Sequence, residues 1–572
     1  MSRTRGIGLL LSVSLALASP EVLAQKKKKK KPAGAEGGSS ATEFQPEAKG
    51  GSGGGKAAGK AAGGGDGQSK VLDRAIKLYD GEDYYSASIE LNKVAEGEAG
   101  DNEANKQKAE FWMGKTLYNM KFYSAALSYF DRIVQKGPSH AYYNATLRWL
   151  AQLSRLLPDS TGILEKIGKY QRSELDQPAL EKARDELYFL LGKFYYTKGQ
   201  FKEAVSLFTT VPQTSEFYVQ AKLFEGATHV REYEAKPAVE SFKEVLRVAA
   251  ESPDPKVKPF EDLANLSLAR TFYSTGQFEL ATKYFDRVSH ESVDWPNSLF
   301  ESSWANFMLK QRGYSKALGN IHTLQAPYFE NFIKPESVGE ALTVKATIYF
   351  YNCLYDRATE AIEEYKAAYE PLEAELRKMV SANPDNTALF ELAQKIREGT
   401  SGLSENTERS SRAVLSDRSL LKRFEYVDEL TREIAQHEKA EPSWKLTTIA
   451  NNILQDLSLQ KGLAVNEAGD LARQRLIRLA GELNQLNKRV IKIDYSILEG
   501  EKGTLEKEIQ EERQIVAGPT DKRPDEIRVD DEHNFWPFSG EYWRDELGYY
   551  RFRVVNKCAQ SAPEGAPTGP TE

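Results

Sequence analysis

Between residues 70 and 370 the hydrophobic positions fall into pairs of amphipathic segments separated by short polar turns. The clearest pair comprises Tyr188, Leu191, Gly192 and Tyr195, then Gly199-Gln200, then Phe201, Ala204, Phe208 and Val211. Spacings of three and four residues place each set on one face of a helix. The pattern therefore predicts two helices joined by a turn, with small residues where the helices approach closely.

The same unit recurs along this region. An alanine of the second helix marks each of seven copies, at Ala87, Ala126, Ala204, Ala238, Ala281, Ala317 and Ala358. One interval of 78 residues is about twice the others, so a degenerate unit is expected around Ala145 to Tyr170. Such self-similarity predicts a solenoid in which each unit packs on its neighbours. The expected fold class is all-α.

The order of residue types in these units resembles the tetratricopeptide repeat (TPR), and the resemblance covers residues 70–370. It implies a superhelical solenoid whose first helices line a concave groove for extended peptides. Carried over position by position, the groove residues are Tyr79, Lys115, Tyr118, Lys193, Tyr196, Arg231, Arg270, Tyr273, Asn306, Lys310 and Phe350. Cations between tyrosines suit a peptide with acidic side chains or a free carboxylate. The alternative is that the tyrosines pack between repeats and the cations are solvated.

The pattern changes after residue 370. Leu476, Leu479, Leu483, Leu486, Val490, Ile493 and Ile497 step by threes and fours. Residues 371–518 are therefore expected to form long amphipathic helices, either a bundle against the solenoid or a short coiled coil. Residues 519–558 are rich in aromatics, including Trp536, Trp543 and Tyr549. This tail is expected to fold back and cap the array; if exposed, those three rings could bind sugars or a protein. Residues 559–572 are expected to be a disordered end.

The N-terminus indicates export. Arg3 and Arg5 precede an apolar stretch from Ile7 to Ala18, and residues 22–24 suit cleavage after Ala24. The stretch is too short to span a bilayer, and no cysteine follows it for lipidation. Residues 25–69 are rich in Lys, Gly and Ala and predict a disordered tether. The expected location is the periplasm, without a membrane anchor in the mature chain. The basic run 26–31 resists translocation, so an uncleaved N-terminus at the inner membrane stays open.

The charge and the residue composition limit the functions that the chain can have. The formal net charge of the whole chain is −6. The signal contributes +1 and the tether +5, so the chain from Lys70 onward has a net charge of −12. An acidic body does not suggest nucleic-acid binding, although the tether could touch anionic lipid or peptidoglycan. The six histidines form no metal motif and the sequence has no P-loop or Gly-x-Ser-x-Gly. No enzyme, metal or cofactor is expected. Cys353 and Cys558 could pair or stay free, because sequence alone does not show their separation.

The sequence therefore predicts a non-enzymatic envelope scaffold that binds other envelope proteins through its groove. The alternative is a structural protein that binds the cell wall through its tether and aromatic tail. A wall-cleaving transglycosylase is disfavoured, since Glu301-Ser302 and Glu336-Ser337 lie in or beside the repeats. The arrangement of leader, repeats, helical region and tail resembles envelope proteins of myxobacteria, including repeat proteins of the adventurous gliding motility machinery. Outside the repeats, that resemblance rests on no specific motif.

Overall fold

The computed structural model describes residues 69–252, 254–329, 333–510 and 540–558. These residues contain 22 α-helices and no strand, which confirms the all-α prediction. The predicted signal peptide, the tether before Ser69, residues 511–539 with Trp536, and the end 559–572 lie outside the described residues.

Helices α1 to α17 follow one another as the repeats predict. They are α1 Lys70–Asp80, α2 Tyr84–Ala95, α3 Glu103–Asn119, α4 Tyr123–Lys136, α5 Tyr143–Ser154, α6 Ile163–Ile167, α7 Arg172–Leu175, α8 Arg184–Thr197, α9 Phe201–Phe208, α10 Tyr218–Arg231, α11 Ala235–Glu251, α12 Lys258–Ser274, α13 Phe278–Phe285, α14 Trp295–Met308, α15 Gln311–Leu324, α16 Pro335–Tyr351 and α17 Tyr355–Ala382. Each of the seven marker alanines lies on the second helix of a hairpin. Helix α5 and the two short helices α6 and α7 occupy the region where the repeat pattern fades.

Small residues set the distance between the two helices of a hairpin. All seven marker alanines are fully buried. On the first helices, a Cβ added at Gly114, Gly192 or Gly226 would lie within 2.6 Å of a phenylalanine ring of the next helix. Those rings therefore occupy the space that a larger side chain would need, which is why the pattern pairs glycine with phenylalanine.

The seven turns between paired helices share one backbone feature. Each contains a residue with positive φ, at Glu82, Lys121, Gly199, Tyr233, Gly276, Lys310 and Cys353. In this conformation the chain closes the first helix with hydrogen bonds back to its last turn, as from Phe122 N to Leu117 O at 2.9 Å. Because only two of the seven residues are glycine, the other five adopt a conformation that costs free energy.

Five further helices follow the array: α18 Asn386–Glu398, α19 Glu405–Leu415, α20 Arg418–Lys439, α21 Pro442–Lys445 and α22 Thr448–Gln510. Helix α17 continues beyond the expected boundary at residue 370. Helix α22 has 63 residues, so it is about 95 Å long at 1.5 Å per residue. Ala464, Ala468 and Ala472 are buried along its middle and join two apolar stretches into one continuous inner face.

The C-terminal helices contact both ends of the array. Near the N-terminal end, the Trp444 indole donates to Ser88 Oγ at 3.0 Å. Near the other end, Lys366 on α17 pairs with Asp494 on α22 at 2.6 Å. The C-terminal helices therefore pack against the array, which is one of the two arrangements that the sequence predicts. Among the described helices, none is long and apolar enough to cross a membrane.

Candidate protein-binding surface

Lys115 lies in a cluster of rings contributed by three first helices. Its Nζ is 3.4 Å from the ring centroid of Trp112 and 4.6 Å from that of Tyr79. Tyr118 is half-buried and makes an edge contact with Trp149 on α5 at 5.2 Å between ring centroids. The predicted groove residues Tyr79, Lys115 and Tyr118 are therefore neighbours. A cation over electron-rich ring faces is an attractive arrangement.

Lys193 is buried and has an acidic partner within the chain. Its Nζ is 3.3 Å from Asp159 Oδ1, and Lys422 on α20 pairs with the same carboxylate. Burial by itself would raise the pKa of Asp159, but the two lysines hold that pKa below its ordinary value. The Lys193 ammonium thus helps to fix α20 against the array, a role that its position in the repeat does not reveal.

Arg270 likewise has a carboxylate partner within the array. Its guanidinium binds Glu301 on α14 through two contacts of 2.7 and 2.6 Å. Such a paired, planar contact is stronger than a single hydrogen bond. Arg270 therefore joins successive first helices, α12 and α14.

The remaining predicted groove residues differ in exposure. Arg231 and Lys310 are exposed, and Tyr196, Tyr273 and Phe350 are half-buried. Asn306 is buried and donates to Ser302 O at 2.9 Å. Arg231 lies 5.6 Å from the ring centroid of Phe201, and Phe350 lies beside α22 near Gly500. The structure thus places the predicted set along the first helices, except for Lys310 in the turn after α14, but not on one open surface.

Helix α20 crosses the array and caps another helix. The Glu433 carboxylate accepts the backbone N–H of Ser124 at 2.7 Å and that of Ala125 at 3.4 Å. These groups have no partner within α4, because they belong to its first turn. Burial raises the pKa of Glu433 to about 7. Sequence reasoning missed this contact, since a lone Glu on an amphipathic helix gives no signal.

A charged cavity of about 220 Å³ separates α20 from the first helices α8 and α10. Its walls carry the ion pair of Arg155 with Glu186, at 2.7 Å, and Glu425 and Glu429 from α20. Burial raises the pKa of both α20 carboxyls. Four basic and four acidic side chains line the cavity, so its charge does not favour a ligand of either sign.

The described part of the tail, residues 540–558, lies along α14 to α16 and not over the end of the array. Gly548 N donates to Thr323 Oγ1 at 3.1 Å, and the rings of Tyr542, Tyr550 and Phe552 surround His322. Burial lowers the pKa of His322 to about 4. Trp543 and Tyr549 stay 60% and 66% exposed. Residues 540–558 therefore pack on the side of the array, and residues 519–539 of the predicted cap lie outside the described residues.

A disulfide joins Cys353, in the turn between α16 and α17, to Cys558, with 5.2 Å between the Cα atoms. Of the two alternatives that the sequence leaves open, the structure has the paired one. The bond holds the end of the described tail against the last hairpin.

Metal-ligating side chains come together once within the described ranges. Ligand atoms of His229, Glu232 and Glu234 lie within 4.8 Å of one another at the turn after α10. His229 Nδ1 is 2.8 Å from Glu234 Oε2, a distance that a hydrogen bond accounts for.

Comparison with known proteins gives no family. No family model and no curated protein matches the chain. One similar solved structure is a circular tandem repeat protein with novel repeat topology and enhanced subunit contact surfaces. The match covers 76% of this chain and 89% of that one, at 14% identity and a TM-score of 0.12. A TM-score this low supports no argument about function.

Proposed function

We propose that this chain is a tetratricopeptide-type, non-enzymatic scaffold of a bacterial cell envelope, which binds extended segments of partner proteins. Seven helical hairpins with the same buried alanine and the same turn conformation support the repeat type. An array of this kind offers a long side surface and little enclosed volume, which suits protein binding better than catalysis. The same proposal includes a place for the chain in a motility machinery. The test is to delete the gene and measure the movement of single cells.

The observation that carries this proposal is the recurrence of cation–ring contacts along the first helices. Lys115 lies over Trp112 and Tyr79, and Arg231 lies 6.0 Å from the ring centroid of Tyr196. Rings give rigid contact area and the cations give charge-assisted hydrogen bonds. An extended segment with acidic side chains is the partner that this chemistry fits.

The structure also indicates which residues make a clear test. Reversing the charge of Lys193 or Arg270 would break their pairs with Asp159 and Glu301 and would perturb the fold. Lys115 and Arg231 lie over aromatic rings of neighbouring first helices. Neutralising these two residues should therefore weaken partner binding while the array stays folded.

The experiment is proximity crosslinking in intact cells, followed by identification of the captured proteins. The full chain is compared with the double variant Lys115→Gln/Arg231→Gln and with the control Lys243→Gln, an exposed residue on the second helix α11. We expect the double variant to lose specific envelope proteins that the parent and the control retain, with unchanged circular dichroism. Capture of the same set by all three chains would contradict the proposed surface.

The proposed location has its own test. Sequencing the N-terminus of the mature chain should give Gln25, and cell fractionation should recover the chain from the periplasm. Recovery of a chain that starts at the original N-terminus in the inner membrane would support the uncleaved alternative instead.

Binding to the cell wall is a second candidate function, favoured by the exposure of Trp543 and Tyr549. The two rings could stack on sugar rings. Co-sedimentation with purified peptidoglycan should then fall for Trp543→Ala/Tyr549→Ala. The control is Tyr233→Ala, since Tyr233 is 95% exposed at a distant turn. Equal sedimentation of all three chains would argue against this function.

A further inference from the structure

The second half of α22 is held rigidly on its inner side. Val490 and Ile497 are buried against the array. The hydroxyl of Tyr365 on α17 donates to Asn487 Oδ1 at 2.7 Å, and Lys366 pairs with Asp494. Because these contacts lie on one side, the rotation of α22 about its axis is fixed, and so is the face that it presents outward.

The outward face of α22 carries a regular apolar stripe. Its residues are Lys488, Ile491, Tyr495, Leu498, Lys502 and Leu505, all of them exposed. The four apolar members are between 51% and 64% exposed. Single exposed apolar residues are ordinary, but these positions alternate steps of three and four, which is the spacing of a coiled-coil seam.

We propose that this stripe is the contact through which two copies of the chain pair, with their α22 helices antiparallel. The pairing is centred between Tyr495 and Leu498. Each Tyr495 then packs on the partner's Leu498. The aliphatic part of Lys502 covers the partner's Ile491, while its charged end reaches solvent.

The charged residues of the stripe favour the antiparallel orientation and a second copy of the chain as the partner. In a parallel pair, Lys488 would face the partner's Lys488 and Lys502 the partner's Lys502, which repel. In the antiparallel pair each lysine faces an apolar residue. Lys492, beside the seam, then lies close to the partner's Glu499, and the two-fold symmetry forms this ion pair twice.

The length of the stripe sets the strength of pairing. Residues 488–505 span roughly 27 Å of helix at 1.5 Å per residue. Such a contact is smaller than the roughly 800 Å² per partner of a standard interface. We therefore expect a dimer that dissociates on dilution, and not an obligate one.

Sedimentation equilibrium of the full chain over a wide concentration range tests the contact. We expect a monomer–dimer equilibrium whose Kd rises about 100-fold for Leu498→Glu, because two apolar contacts per dimer are lost. The matched control is Leu446→Glu, since Leu446 is 85% exposed before α22 begins; it should leave Kd unchanged. Circular dichroism and thermal midpoints verify that the variants fold.

The register is tested by a charge exchange. Lys492→Glu and Glu499→Lys should each raise Kd by roughly fivefold, and the double exchange should restore the parent value. A parallel pair gives no such rescue. In a mixture of ¹⁵N-labelled and unlabelled chains, a zero-length crosslink should join Lys492 of one isotope to Glu499 of the other.

Three outcomes would overturn the proposal. The first is a chain that stays monomeric up to hundreds of micromolar, which would mean that something other than a second copy covers the stripe. The second is a dimer that Leu498→Glu and Leu446→Glu affect equally. The third is a dimer that Leu498→Glu disrupts but that the double charge exchange does not restore, which would reject the antiparallel register.

Discussion

Adding one methyl group at two helical glycines should raise stability at one of them and leave it unchanged or lower it at the other. The glycines are Gly192 in α8 and Gly481 in α22, both inside helices. A Cβ at Gly192 would lie 2.5 Å from Phe208 Cε1, whereas a Cβ at Gly481 would have no neighbour within 4 Å. The substitution Gly→Ala is the same at both sites, so the surroundings alone distinguish them.

The expected magnitudes follow from these distances. In a helix interior, alanine is favoured over glycine by about 1 kcal/mol. Gly481→Ala should gain this amount. At Gly192 the same gain is opposed by overpacking against the ring, which costs about 1–3 kcal/mol. Gly192→Ala should therefore be neutral or destabilising by up to about 2 kcal/mol.

Native-state hydrogen exchange is the suitable assay, because a repeat array need not unfold in one step. Amides of α8 and α9 should exchange as fast or faster in Gly192→Ala, whereas amides of α22 should exchange more slowly in Gly481→Ala. Phe208→Leu added to Gly192→Ala should cost less than the sum of the two single changes, since the smaller side chain makes room. Slower exchange of α8 and α9 in Gly192→Ala would refute the packing argument.

Three further predictions concern charge, covalent linkage and backbone conformation. Burial raises the pKa of Glu433 from 4.5 to about 7, so the packing of α20 on α4 should be strongest below pH 4.5 and weaken as the pH rises to about 7. Amide exchange of α20 at these two pH values checks it, and Glu433→Gln should remove the dependence. The disulfide closes a loop with a sequence separation of 205 residues. Chain entropy alone would make that closure worth up to about 5 kcal/mol of stability. The variant Cys353→Ser/Cys558→Ser should therefore show faster amide hydrogen exchange in the tail. Equal exchange in the parent and the variant would contradict this. Tyr233 has a φ of 63° and is 95% exposed, so Tyr233→Gly should stabilise the α10–α11 hairpin by about 1 kcal/mol, which a lower thermal midpoint would contradict.

The sequence predicts the hairpins well because their small residues recur at fixed spacings. Gly192 and Ala204 stand at fixed distances from aromatics in the sequence. A Cβ at Gly192 would meet the ring of Phe208, and Ala204 is fully buried. The turns are less visible. Glu82, Lys121 and Tyr233 adopt positive φ without being glycine, so a search for glycine turns finds only two of the seven. Because five of the seven residues are not glycine, residue type alone does not show the turn conformation.

The candidate surface is harder to predict than the fold. The position of Lys193 in its repeat follows from local spacing, but its partner Asp159 lies in an irregular segment between repeats. Lys422 reaches the same carboxylate from more than 200 residues away. Pairings between distant segments leave no periodic pattern. Sequence reasoning therefore finds the row of first-helix residues but not the helix that crosses it.

The contacts of Trp444 suggest that the C-terminal helices act as a brace for the array. Its side chain is buried, donates to Ser88 in the first hairpin, and lies 6.1 Å from Phe122 in the second, between ring centroids. From there α22 runs to the last hairpin. A terminal hairpin of a solenoid has a neighbour on one side only, so the brace supplies the first hairpin with a second contact.

Trp444→Ala should therefore loosen the N-terminal end of the array selectively. Truncating a buried tryptophan costs about 3–5 kcal/mol, and the loss falls on the hairpins that it contacts. Amides of α1 and α2 should exchange much faster, while those of α12 and α13 should change little. The matched control is Trp543→Ala, which removes a 60% exposed indole and should leave both regions as they are. If Trp444→Ala accelerates exchange uniformly along the chain, the array and the C-terminal helices unfold as one unit and α22 is part of the core, not a brace.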